Sequence, residues 1–153
     1  MTATLYNRQI LALAVTLADF PRLTSPMRTG ERRAPLCGSR VTIDMDMAAH
    51  GTVARLGLAV EACALGQAAA ALLARAAPGQ SAAALAAAHG ALAAWLTGTS
   101  DTPPLWPGVA VLAAARAYPA RHAAILLPFA LAADLAADLC AELSGARAQE
   151  RAA

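Results

Sequence analysis

The sequence predicts an α+β domain, a small antiparallel β-sheet of two to three strands with helices packed on one face, and three observations carry that prediction. From Arg40 to Val60 the apolar residues recur every second position, as they do along half-buried strands. Outside that window the apolar positions follow helical spacing. Alanine supplies nearly a third of the chain and is densest after Ala62, where it favours helix. Strands followed by a run of helices fit an α+β layering better than alternating βαβ units.

Residues 3–19 carry Leu5, Ile10, Leu11, Leu13, Val15 and Leu17 and read as a helix ended by Pro21. Residues 20–35 are polar and interrupted by Pro21, Pro26, Gly30 and Pro35, so they read as a loop. Arg28, Arg32, Arg33 and Arg40 crowd into this segment and just beyond it, as a solvated loop or as a docking patch for an acidic partner. Val41, Ile43, Met45 and Met47 then alternate with Thr42, Asp44 and Asp46. After the turn at Ala48–Gly51, Ala54, Leu56, Leu58 and Val60 alternate with Arg55, Gly57 and Ala59, and the short connection makes the two strands a hairpin. Arg28–Ala34 offers a third strand beside them.

Helices follow at Ala62–Ala76 and, after Pro78-Gly79, at Ser81–Leu96 with Ser81 as cap. Residues 97–107 form a loop rich in Gly, Thr and Pro, and a short helix covers Gly108–Ala117. A last helix spans about Ala123–Leu143 and stops before Ser144-Gly145, with Pro128 in or near its first turn. Its inner stripe is Leu127, Leu131, Leu135 and Leu139, and its acidic row of Asp134, Asp138 and Glu142 reads as solvated surface. Trp95, Trp106 and Phe129 read as packing anchors.

Composition narrows the function classes. With 153 residues, the chain fits a single domain over residues 1–153. All twelve basic residues are arginine, and a net charge of +2 is too weak a bias to imply nucleic acid. The stretch from Ala76 to Ser100 lacks charged residues, but Pro78, Gly79, Gln80, His89 and Gly90 break it, short of the roughly 20 apolar residues that span a bilayer. The first residues have no cationic region leading an apolar block, which favours the cytoplasm. Three cysteines, an odd and sparse set, then suit reduced thiols or metal ligands better than a disulfide framework.

Cys37 precedes Gly38 where a loop gives way to a strand, and Cys63 falls at the first turn of a helix, where the positive end of the helix dipole favours thiolate. Both positions suit a soft metal ligand. No C-x-x-C pair accompanies them, so a packed structural cysteine accounts for each equally well by spacing alone. Cys140 reads as a core or bystander residue, and His50 and His89 as surface residues. No nucleophile and base stand at usable spacing, and no phosphate-binding loop is present, so the chain reads as a binding protein and not an enzyme.

The segment Pro-Leu-Cys-Gly-Ser-Arg-Val-Thr-Ile at 35–43, followed by Glu-Ala-Cys-Ala-Leu-Gly-Gln-Ala-Ala-Ala at 61–70, resembles the two cysteine motifs of the NifU/IscU-type iron–sulfur cluster assembly scaffolds. Tyr6 through Pro21-Arg22 is similar to that family's N-terminal Tyr-helix-Asn-Pro-Arg segment, and Gly79-Gln80-Ser81 to its Gly-Lys-Ser turn. Tyr118 to Leu126 is similar to its third motif, Pro-x-Lys-x-His-Cys-x-x-Leu. The order and separation of these short motifs, over about four-fifths of the chain, carry the resemblance.

The resemblance implies a NifU/IscU-like fold and a scaffold that receives sulfur from a cysteine desulfurase, gathers iron, holds a labile [2Fe–2S] cluster and passes it to client proteins. Cys37 and Cys63 match two of the family's ligands, and His122 matches its histidine. Two departures stand out. The family's aspartate after Cys-Gly is Ser39, and its third cysteine falls on Ala123, or on Ala124 when the motif is aligned without a gap. A Cys37/Cys63/His122 set remains chemically sensible for cluster iron or for zinc, because imidazole replaces thiolate on both. The alternative is a relative that keeps the fold as a zinc-stabilised or metal-free interaction module.

Overall fold

The computed structural model describes residues 4–152. Helix α1 (Arg8–Val15) leads through a 3₁₀ turn at Thr16–Asp19 to three strands, β1 (Arg28–Arg33), β2 (Arg40–Met47) and β3 (Val53–Glu61). Helices α2 (Ala64–Ala76) and α3 (Ala82–Leu96) follow, then 3₁₀ segments at Val109–Ala117 and Pro119–Arg121, and finally α4 (His122–Ala152). The sheet is open and antiparallel in the order β1-β2-β3. The predicted α+β class and sheet therefore stand, with three strands.

Several boundaries differ from those read in the sequence. The first helix starts at Arg8, because the Asn7 carboxamide accepts a 3.0 Å hydrogen bond from the Ile10 amide and caps it; Ala3, where the predicted helix began, lies outside the described residues. Strand β1 forms where Arg28–Ala34 offered a third strand, inside a segment otherwise read as a loop, and its strand character comes from pairing and not from apolar alternation. Arg28, Gly30 and Arg32 point toward α4, while Thr29, Glu31 and Arg33 point out. Arg28 pairs with Asp138 at 3.5 Å and with Glu142, and Arg32 with Asp134. The arginine cluster, read as a solvated loop or a docking patch, and the acidic row, read as solvated surface, thus meet across the sheet edge. All five side chains stay at least a third exposed or close to it, so the row orients α4 more than it stabilises it.

The last helix does not stop at Leu143. It runs through Ser144 and Gly145 to Ala152, its final turns exposed, since a helix already nucleated on the core continues past residues that would not start one. Pro128 is its seventh residue and is buried. Lacking an N–H, Pro128 frees the Ala124 carbonyl of its intrahelical partner, and that carbonyl lies 3.2 Å from where a Cβ on Gly66 would stand. The segment at Val109–Ala117 is 3₁₀ and not α.

The inner face of the sheet, with Val41, Ile43, Met45 and Met47 from β2 and Val53, Leu56 and Leu58 from β3, packs under α2 and α4. Trp95, Trp106 and Phe129 are buried as expected, with the Trp106 indole N–H donating to the Leu72 carbonyl at 2.9 Å and its ring set edge-on to Phe129. By length and composition α4 could cross a membrane, but here 61% of its most apolar window is buried against the rest of the chain.

On the outer face, residues 20–23 cross the sheet as a strap. Asp44, read as a solvent-facing strand residue, is fully buried beneath it. Its carboxylate accepts from Arg22 Nε at 2.6 Å, Arg22 Nη2 at 3.0 Å, the Leu23 amide at 2.9 Å and the Thr29 hydroxyl at 2.6 Å. Opposite Asp44 in register stands Gly57, where a Cβ would lie 2.3 Å from the Pro21 carbonyl oxygen.

Candidate functional site

A single cleft of about 170 Å³ gathers Cys37 and Cys63. Three other grooves are larger, yet no cysteine or histidine lines them. Cys37 and Ser39 reach the cleft from the β1–β2 connection, Glu61 and Cys63 from the end of β3 and the start of α2, Arg121 from the 3₁₀ turn before α4, and Ala124 from α4 itself.

Local structure explains the placing of each thiol. Antiparallel pairing of Arg33 with Arg40 closes a short loop, tightened by hydrogen bonds from the Ala34 amide to the Ser39 carbonyl and from the Gly38 amide to the Ala34 carbonyl. Gly38 takes a φ of +71° there, a conformation glycine adopts without strain. Cys37 at the tip is exposed. Cys63 is the N-cap of α2 in an extended conformation, but its side chain makes no capping bond, so the sulfur stays available to the cleft. The Gln67 side chain instead donates to the Ala62 carbonyl at 2.9 Å.

The electrostatics differ between the two walls. Cys37 Sγ lies 3.1 Å from the buried Ser39 hydroxyl. That hydroxyl, then the Ser39 and Cys37 amides and the more distant charge of Arg121, hold the Cys37 thiol below its usual pKa against a smaller opposing effect of burial. Ser39, where the resemblance expects an aspartate, is therefore a neutral hydroxyl that accepts from the Cys37 thiol and donates to its thiolate. On the other side Tyr6 is raised above the ordinary tyrosine range, first by burial and then by the neighbouring Cys63 sulfur, with Arg121 opposing. Tyr6, on the approach to α1, thus neighbours Cys63 without lining the cleft.

His122 is the first residue of α4 and is buried, with Nε2 set 2.9 Å from the Ala115 carbonyl oxygen. It does not line the cleft. With Nε2 committed as donor to that carbonyl, Nδ1 is the nitrogen left to bind a metal, the arrangement by which a backbone carbonyl fixes the tautomer of a ligating histidine. Of the two positions for the family's third cysteine, Ala124 lines the cleft and Ala123 does not. Among the described residues, no three His, Cys, Asp or Glu side chains come together closely enough to hold one ion. Cys140 lies elsewhere, 3.8 Å from the Gly51 carbonyl oxygen.

Sequence reasoning named both thiols but missed Arg121 and Glu61 as members of the site. The signal for Arg121 was its place beside His122 in the third motif, read there only as a neighbour.

No protein-family model and no curated protein matches the sequence. Solved structures do. The crystal structure of a nitrogen-fixing NifU-like protein (N-terminal) from Brucella abortus is 34% identical, with 85% of this chain and 90% of that one covered and a TM-score of 0.79. The chain belongs to the NifU/IscU-type family. A protein from Fervidobacterium islandicum described as a putative iron–sulfur cluster assembly scaffold protein for the SUF system, 15% identical over 82% of this chain and 91% of its own, shares the fold at a TM-score of 0.74. So does a hypothetical protein, 15% identical over 85% of this chain and 98% of its own, at 0.64.

Proposed function

We propose that this chain is an iron–sulfur cluster assembly scaffold whose cargo, a labile [2Fe–2S] cluster or its iron and sulfide, is held by Cys37 and Cys63 and passed to client proteins. The observation that carries this reading is the meeting of two thiols, from separate elements, in one small cleft. Membership of the NifU/IscU-type family supports it, as does the scaffold named among the fold's solved neighbours. His122 is the proposed third ligand, through Nδ1. Solvent, a small thiol or another chain would fill the fourth position. A cysteine desulfurase as sulfur donor and a cytoplasmic setting complete the proposal.

The test is anaerobic reconstitution with iron and sulfide. Visible charge-transfer absorption should develop, and Cys37→Ala and Cys63→Ala should each abolish it. The same spectrum in both variants would overturn the reading.

One observation favours the metal-free form of a second reading, a zinc-stabilised or metal-free interaction module: His122, the third ligand of the proposed set, stands with its Nε2 on a backbone carbonyl and outside the cleft lining. Metal analysis of the purified chain separates the two. A chain purified without metal that also fails reconstitution supports the metal-free module, and one zinc per chain, lost in His122→Ala, supports its zinc-stabilised form.

A further inference from the structure

Charge at the cleft is not balanced. Glu61, its one carboxylate, is already engaged by the Arg40 guanidinium. Arg121 lines the same cleft, and among the described residues it has no salt-bridge partner, whereas the other arginines near the sheet, Arg22, Arg28, Arg32, Arg33, Arg40 and Arg55, are all paired. The 3₁₀ turn at Pro119–Arg121, closed by the Arg121 amide on the Tyr118 carbonyl at 2.9 Å, fixes where that side chain leaves the backbone. One uncompensated guanidinium therefore faces two thiols. A guanidinium so placed attracts small anions into a concave site and orients them by hydrogen bonds.

We propose that Arg121 is a positioning residue that draws anionic sulfur, at the level of hydrosulfide or a persulfide terminus, into the cleft between Cys37 and Cys63. It forms no covalent or coordinate bond to the cargo and takes no proton. Its charge raises the local concentration of the anion and aims it at the thiols. With Ser39 neutral where the family carries an aspartate, no fixed carboxylate inside the loop opposes that attraction. This inference rests on the scaffold reading for the identity of the anion, but the attraction itself can be measured without any cluster.

The probes are iodoacetate, an anion, and iodoacetamide, its neutral counterpart, with alkylation of Cys37 and Cys63 followed by peptide mass mapping. The ratio of the two rates cancels the thiolate fraction and isolates the effect of charge on the incoming reagent. At low ionic strength Arg121→Gln should lower that ratio by about three- to five-fold, the size expected for one charge a few ångströms away in water, and salt should erase the difference. Arg121→Lys should keep the ratio within about two-fold of the parent, since the charge is retained. Arg147→Gln, which removes a charge from the exposed end of α4, should leave it unchanged. An unchanged ratio in Arg121→Gln overturns the proposal, as does an equal fall in Arg121→Lys or in Arg147→Gln. A parent chain that fails reconstitution would remove the scaffold reading while the ratio still reports on Arg121.

Discussion

Replacing Asp44 with alanine removes the acceptor at the centre of the outer-face strap. The carboxylate is fully buried and takes four hydrogen bonds, two from Arg22 and one each from the Leu23 amide and the Thr29 hydroxyl. In the variant, Arg22, whose side chain is 50% exposed, turns into water and adds nothing to the cost. Thr29, on the exposed side of β1, likewise turns its hydroxyl to water, whereas the half-buried Leu23 amide has no such exit, and a buried donor left without an acceptor costs about 1–3 kcal/mol. That cost, about 2 kcal/mol, corresponds to a fall in Tm of roughly 4–8 °C for a domain of this length. Asp44→Asn keeps one oxygen for the amide and should lose about half as much. Urea unfolding followed by far-UV circular dichroism measures both.

The same residue sets a pH dependence. Burial pushes the Asp44 carboxyl up, but Arg22, Thr29 and the Leu23 amide together hold it below the usual range. A carboxyl depressed in the folded state stabilises fully above its unfolded pKa of about 3.9, and that contribution is lost as pH falls through the lower folded value. Asp44→Ala should therefore lack the corresponding part of the acid transition below about pH 4. A cost under about 1 kcal/mol for Asp44→Ala would refute the idea that this carboxylate fastens the strap.

Three further outcomes follow from the geometry. Ala124→Cys places a third sulfur in the cleft and should lengthen the life of a reconstituted cluster under chelator challenge several-fold, whereas Ala123→Cys, outside the lining, should not; equal effects would refute the placing of the third motif. Ser39→Ala removes the hydroxyl 3.1 Å from Cys37 Sγ, so the midpoint of Cys37 alkylation by iodoacetamide should move to higher pH, and a static or falling midpoint would contradict the role given to that bond. Gly57→Ala drives a Cβ to 2.3 Å from the Pro21 carbonyl and must displace the strap; a loss of about 1–3 kcal/mol in urea unfolding is expected, and an undiminished midpoint would mean the strap moves freely.

Much of the site could be read in the sequence because its thiols sit at element boundaries, and boundaries leave local marks. Gly38 after Cys37 and the alternation from Arg40 announced a loop entering a strand, and the switch from period two to alanine-rich helix placed Cys63 at a helix start. Residues without a local mark were missed or misread. Arg121 joins the cleft only because the turn before α4 returns to the sheet. Asp44 looks like any polar strand residue until residues 20–23 cover it.

The chain by itself determined the fold class, the hairpin, the helix capped by Ser81 and the two thiols that carry the family resemblance, since period, caps and turns are set by neighbouring residues. The tertiary structure decided which of those pieces meet. It made β1 a strand by pairing it with β2 and with the carboxylates of α4, carried α4 past Ser144-Gly145 on an existing core, and turned the His122 Nε2 toward the Ala115 carbonyl. It also set Ala124, not Ala123, against the thiols. Each of these depends on contacts between residues far apart in the chain, and such contacts leave no periodicity to read.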